Sequence, residues 1–146
     1  MTEKNFSNYI KSSLPKDCFI HKIENGLNSS GFPDLYILYK SIPLLIELKT
    51  TIKTTIKRNR IIKEDILFKL EKSQVAWHLK YNKFKGVSFI LQQCPLKRDL
   101  FLFDGYSIAM YQATKLNKPK PIIESSLLNC LDEARKIAIN KMLLAS

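Results

Sequence analysis

Apolar residues recur along this chain with two alternating periods, and the changes of period lay out its elements. Phe6, Tyr9 and Ile10 stand at helical spacing, which predicts a short amphipathic helix over residues 3–13, ended by Pro15. Cys18, Ile20 and Ile23 alternate with polar neighbours and predict a strand within 17–23. The polar stretch that follows, rich in Asn, Ser and Gly, reads as a loop. Two apolar runs, 35–39 and 43–48, are separated by Lys40 and Ser41, which predicts a β-hairpin. Lys-Ser is not a characteristic turn pair, so the turn type stays open.

Leu67, Leu70, Gln74, Trp77 and Tyr81 return at three- and four-residue intervals and predict a helix within 64–83, starting between Asp65 and Glu71. Gly86 is a natural stop. Strands follow at 87–91 and 98–103, then a turn at Asp104-Gly105 and a short helix over 106–112. Residues 114–121 read as an exposed connection. A long amphipathic helix over 125–144 places Leu128, Leu131, Ala134, Ile137, Ala138 and Met142 on one face. Strands on both sides of a crossover helix imply an α/β fold, a mixed central sheet flanked by helices. The length of 146 residues suits one domain, with a core over about 3–103 and a C-terminal helical extension over about 104–146.

Composition narrows the partners. A formal charge of +11 with an isoelectric point near 9.6 makes nucleic acid the first partner to test; a Lys-rich composition from an AT-rich genome is the bland alternative. No apolar run is long enough to span a bilayer, and residues 1–13 have no apolar centre, so no signal peptide is expected. Cys18, Cys94 and Cys130 are widely spaced without a C-x-x-C pair, which favours reduced thiols in an intracellular protein over disulfides or zinc. His21 and His78 lack metal-ligand spacing and are read as structural or surface residues. Trp77 is read as core before base-stacking platform.

The hairpin carries the candidate chemistry. Centring it on residues 40 and 41 sets Asp34 opposite Glu47, and directly opposed residues project to one face. Lys49, two positions on, shares that face, while Leu48 points to the core. Two carboxylates, with the Leu48 carbonyl as a third oxygen, suit Mg²⁺ or Mn²⁺. A metal there activates water and neutralises charge on a phosphodiester, and Lys49 beside it orients the attacking oxygen or stabilises the crowded phosphate. Residues 50–63 contain Lys53, Lys57, Arg58, Arg60 and Lys63 and no acid. They read either as a grip on the phosphate backbone or as a solvated loop or edge. Ser30, just before the hairpin, is a further candidate phosphate contact.

The pattern G-F-P-D, then I-E-L-K, then L-E-K-S-Q-V-A-W and G-V-S-F-I-L resembles the PD-(D/E)xK nuclease superfamily, within it the virus-type replication-repair nuclease (VRR-NUC) and archaeal Holliday-junction resolvase groups. The resemblance spans residues 3–91. It implies a restriction-endonuclease-like core in which Asp34 and Glu47 bind metal, Lys49 serves catalysis and Gln74 supports the site. It also implies an acid on the first helix, for which Glu3 is the candidate and Glu24 its rival. Two departures stand out: Glu71 occupies the place where relatives open the glutamine helix with Ser or Thr, and the basic insert is long for a resolvase. The expected function is a Mg²⁺-dependent DNA endonuclease, acting on duplex or branched DNA, with a homodimer as one way to cut a four-way junction symmetrically. A non-catalytic nucleic-acid-binding module on the same fold is the alternative, and a structural protein with incidental charge is a third.

Overall fold

The computed structural model describes residues 2–23, 31–50, 56–57, 60–61, 68–93 and 98–145, with backbone alone for 56–57 and 60–61. Twelve elements follow in order: α1 (Glu3–Ser13), β1 (Phe19–Lys22), β2 (Leu35–Tyr39), β3 (Ile42–Thr50), β4 (Ile56–Lys57), β5 (Arg60–Ile61), α2 (Lys72–Lys83), β6 (Phe89–Gln93), β7 (Leu100–Asp104), α3 (Gly105–Thr114), β8 (Ile123–Ser125) and α4 (Leu127–Ala145). Six of the strands make one sheet in the order β1-β2-β3-β6-β7-β8, while β4 and β5 pair separately. Among the described strands only β3 and β6 run parallel, joined through α2, so the sheet is mixed as the crossover helix demands. This is an α/β fold.

Each sheet face has its own helices. Phe6 and Ile10 of α1 and Leu127, Leu131, Ala134 and Ala138 of α4 bury Leu35, Ile37, Leu44, Ile46, Leu48, Phe89 and Leu91. On the other face, Ile108 and Ala109 of α3, with Val75 and Leu79 of α2, pack against Ile90 and Phe103. Side chains alternate along a strand, so Glu47 and Lys49 of β3 lie on this second face.

The hairpin has the register set by a two-residue turn: Leu35 pairs with Ile46 and Tyr39 with Ile42. Lys40 (φ 45°) and Ser41 (φ 70°) are both left-handed, the requirement of a type I′ turn, at positions where L-residues with a Cβ are strained. The turn is held from α4. Tyr39 donates its hydroxyl proton to Asp132 Oδ1 at 2.6 Å, Lys40 Nζ reaches the same oxygen at 3.2 Å, and Arg135 Nε donates to the Lys40 carbonyl. Ser41→Gly is therefore expected to stabilise the protein by about 0.5–1 kcal/mol, raising the melting temperature by about 2–4 °C in a calorimetric scan.

Several boundaries differ from the sequence reading, each for a local reason. The middle helix takes the later of its two expected starts, at Lys72, because Glu71 is extended and its N–H donates to the side chain of Gln74, three residues on. Gln112 of α3 grips the backbone of Leu70 through both its amide atoms, fixing the approach to α2. Asp104-Gly105 is no turn. Asp104 caps α3 by accepting from the Ser107 N–H at 3.0 Å, and the helix starts at Gly105. Gly105 is required there, since a Cβ would stand 2.6 Å from both His78 Nδ1 and Ser88 Oγ. The C-terminal residues hold, besides α3 and α4, the edge strand β8, too short to show a pattern. On α4 the core face uses Leu127 and Cys130; Leu128 and Met142, expected inside, are 43% and 57% exposed.

Candidate active site

Asp34 ends the approach to β2 in the register that sets it across from Glu47. Its Oδ2 accepts the Leu48 N–H at 2.8 Å, so the carboxylate is fixed against the next strand rather than left to rotate. Glu47 is 1% exposed. Its Oε1 accepts from Gln74 Nε2 at 2.7 Å, and its Oε2 is buried with no hydrogen-bond partner among the described residues. Burial pushes the Glu47 carboxyl far above its usual range; the charge of neighbouring Asp34 adds to this and Lys49 offsets part of it. The Glu47 carboxyl is therefore costly to ionise on its own, and a side-chain hydrogen bond with Asp34 adds to that cost.

Lys49 is 8% exposed. Its ammonium donates to Gln74 Oε1 at 3.1 Å and lies 3.9 Å from Glu47 Oε1 and 3.8 Å from Glu3 Oε1. Gln74 is thus the hub: one amide oxygen accepts from Lys49 and from the Glu71 N–H at 2.9 Å, while the amide nitrogen donates to Glu47. The reversed amide would set donor against donor at all of the first two contacts, so this orientation is chemically fixed. The residue that caps α2 is also the one that fastens Lys49 and Glu47 to it.

What brings α2 to the hairpin is Gly31. It has φ +82°, and a Cβ there would lie 2.0 Å from the Ser73 carbonyl oxygen, beside Gln74. Phe32 adds an edge-on contact to Trp77, which in turn stacks on Tyr81 at 4.7 Å, so Trp77 is structural packing on the flank of α2. Gly31→Ala is expected to cost at least about 2 kcal/mol and to uncouple Gln74 from Glu47, seen as an earlier urea midpoint.

Glu3 reaches the site through Lys49. Its carboxyl is raised by burial, lowered by Lys49, and raised again by Asp34 and Glu71, so it feels the cluster without joining the Asp34–Glu47 pair. Among the described residues no group of three or more His, Cys, Asp or Glu side chains is close enough to hold a metal. The facing carboxylates here are two, Asp34 and Glu47. His78, read as structural, is buried with Nδ1 2.6 Å from Ser88 Oγ; burial first, and the Lys49 charge second, lower its pKa to about 4, leaving a neutral imidazole. Cys18 and Cys130 are free thiols.

Of the expected backbone-gripping residues, Ser30, Lys53, Arg58 and Lys63 lie outside the described residues, as do Glu24, Leu67 and Cys94. Lys57 and Arg60 fall in β4 and β5, which pair antiparallel with Lys57 across from Arg60. One residue on the site face escaped the sequence reading. Gln92 pairs in register with Lys49 and is 2% exposed, a buried amide where the apolar run of β6 ends. Its signal was that polar residue interrupting the apolar run after residue 91.

No protein-family model matches the chain. No curated protein matches its sequence. Solved structures do match. The 1.6 Å structure of Archaeoglobus fulgidus Hjc, a Holliday junction resolvase from an archaeal hyperthermophile, aligns with a TM-score of 0.53 at 12% identity, covering 90% of this chain and 97% of the resolvase. The alignment therefore runs past residue 91, where the sequence resemblance ends, and the chain shares the α/β fold of that resolvase over nearly its whole length.

Proposed function

We propose that this chain is a divalent-metal-dependent endonuclease of the PD-(D/E)xK kind, hydrolysing phosphodiester bonds in DNA, with branched DNA such as a Holliday junction among its substrates. The observation that carries the reading is the facing of Asp34, held by the Leu48 N–H, with buried Glu47, which one glutamine ties to Lys49. The likeness of fold to an archaeal junction resolvase supports it.

The residues fit Mg²⁺ or Mn²⁺, because every donor on offer is a hard oxygen. Asp34 and the unpartnered Oε2 of Glu47 would hold the ion. In a strand a carbonyl follows its own amide to the same edge, and the Leu48 amide meets Asp34, so the Leu48 carbonyl is carried to that side as a third oxygen. When bound, such an ion acidifies a water and neutralises charge on the phosphate. Lys49, held by Gln74, donates toward the attacking oxygen or a phosphate oxygen where negative charge develops. Gln74 keeps the Glu47 carboxylate and the Lys49 ammonium at fixed spacing, a positioning role. Glu3 balances Lys49 from α1 and is the weakest of the assigned metal-site residues. The basic residues Lys53, Lys57, Arg58, Arg60 and Lys63, with Ser30, are assigned to the DNA backbone on their charge and polarity alone. Symmetric incision of a four-way junction needs two such sites, hence two copies of the chain.

End-labelled linear duplex, single strand, flap and four-way junction, each incubated with Mg²⁺ and with chelator, provide the test. Internal nicking that requires the metal is expected. Salt-sensitive binding of all four without any cut product would instead make the chain a binding module.

A further inference from the structure

Among the described residues, helices cover only half of the sheet face that carries Glu47 and Lys49. Helices α2 and α3 pack over its β6–β7 side, against Ile90 and Phe103. On the β1–β2 side the same face presents Phe19, 57% exposed, with His21, Tyr36, Leu38 and Pro43 around it. Phe19 and Tyr36 meet edge to face, ring centres 6.3 Å apart at 73°. This apolar patch runs directly into the site: Asp34 immediately precedes β2, and Tyr36, the second residue of that strand, follows on the same side, two residues or about 7 Å on by strand rise. Whatever lies at Asp34 and extends along β2 reaches Tyr36 next.

A phosphodiester at Asp34 and Glu47 has nucleosides on either side, and a base stacked in a duplex hides its faces from a protein. Aromatic rings open to solvent on a sheet are the platform on which an unstacked base rests, whatever its sequence. We propose that Phe19 and Tyr36 form a stacking platform for a nucleobase displaced from the helix beside the cut phosphate. The site then selects DNA that has an unpaired or unstacked base there, as at a branch point, flap or single-stranded segment. The inference rests on the reading of Asp34 and Glu47 as the cleavage centre. It commits the patch to nucleic acid over a second copy of the chain because the patch is continuous with that centre along β2.

Binding measured without metal separates the two claims. Fluorescence anisotropy in chelator compares a labelled single strand with a fully paired duplex for the wild type, Phe19→Leu, Tyr36→Leu and the double variant. Each Leu variant is expected to lose about tenfold in single-strand affinity while duplex affinity holds within about twofold. Tyr36→Phe, which keeps the ring, is expected to bind single strand like the wild type, and it guards against a loss that merely reflects misfolding. Equal losses on single strand and duplex, or no loss on either, overturn the platform. So does a double variant that shifts from dimer to monomer in sedimentation with single-strand affinity unchanged, which makes the patch a subunit interface. Metal-dependent nicking by the wild type alongside unaltered single-strand binding by the double variant defeats the platform alone. Selective loss of single-strand binding in the Leu variants, alongside a wild type that cuts nothing, defeats the cleavage reading alone.

Discussion

Lys49→Met is expected to lower the cleavage rate by about a thousandfold, with DNA affinity changed by no more than about twofold. The ammonium is nearly buried and is held at 3.1 Å by Gln74, so its charge is aimed before substrate arrives. A preorganised donor of this kind acts on charge that develops in the transition state and contributes little to ground-state binding. Met keeps the length of the stem and removes only the charge. Single-turnover rates on a nicked-product gel at saturating Mg²⁺ read the effect. A variant that cuts at the wild-type rate with a raised KM would move Lys49 from catalysis to simple substrate attraction.

The second large effect is on stability and runs the other way. Glu47→Gln is expected to abolish cleavage and yet raise the melting temperature of the metal-free protein by about 5–10 °C at pH 8. Burial and Asp34 raise the folded Glu47 carboxyl above its ordinary value near 4.5. The folded state then holds a proton that the unfolded chain has released, so stability falls as pH climbs above 4.5 and goes on falling until the folded carboxyl ionises. The loss by pH 8 is on the order of 2–4 kcal/mol. Gln cannot ionise, and its side-chain oxygen still accepts from Gln74, so the variant is flat across that range. Mg²⁺ should close the gap and then reverse the ranking: a ligand that binds only the folded wild type adds about 2.7 kcal/mol at a hundred times its dissociation constant and about 4.1 kcal/mol at a thousand times. Melting curves at pH 5 and pH 8, with and without Mg²⁺, check the four cases.

The hairpin was the most legible part of the molecule because its information is local. Strands 35–39 and 43–48 and a two-residue gap are enough to set Asp34 across from Glu47, and side-chain alternation then fixes which face Lys49 takes. The crossover helix and the mixed sheet followed from element order, while the particular parallel pair, β3 with β6, did not. Contacts between residues distant in sequence were not legible. Nothing in the spacing of Gln74 says that its amide caps α2 while bridging Glu47 and Lys49, and nothing in Gly31 alone says that a helix carbonyl occupies the place of its missing Cβ. The turn at Asp104-Gly105 misled for a related reason. Asp-Gly is a turn signal, but His78 and Ser88 leave room only for glycine there, and Asp104 is free to cap a helix. Strand β8 has three residues, too few for a period to appear, and takes its conformation from β7.

The central claim is that Asp34 and Glu47 together make the metal-dependent cutting centre, and the most direct measurement compares wild type with the Asp34→Asn/Glu47→Gln double variant on one labelled four-way junction in Mg²⁺ and in chelator. The account predicts cut strands from the wild type in Mg²⁺ only, none from the double variant in either buffer, and a bound junction in all cases. Mg²⁺-dependent cut strands from the folded double variant would contradict it.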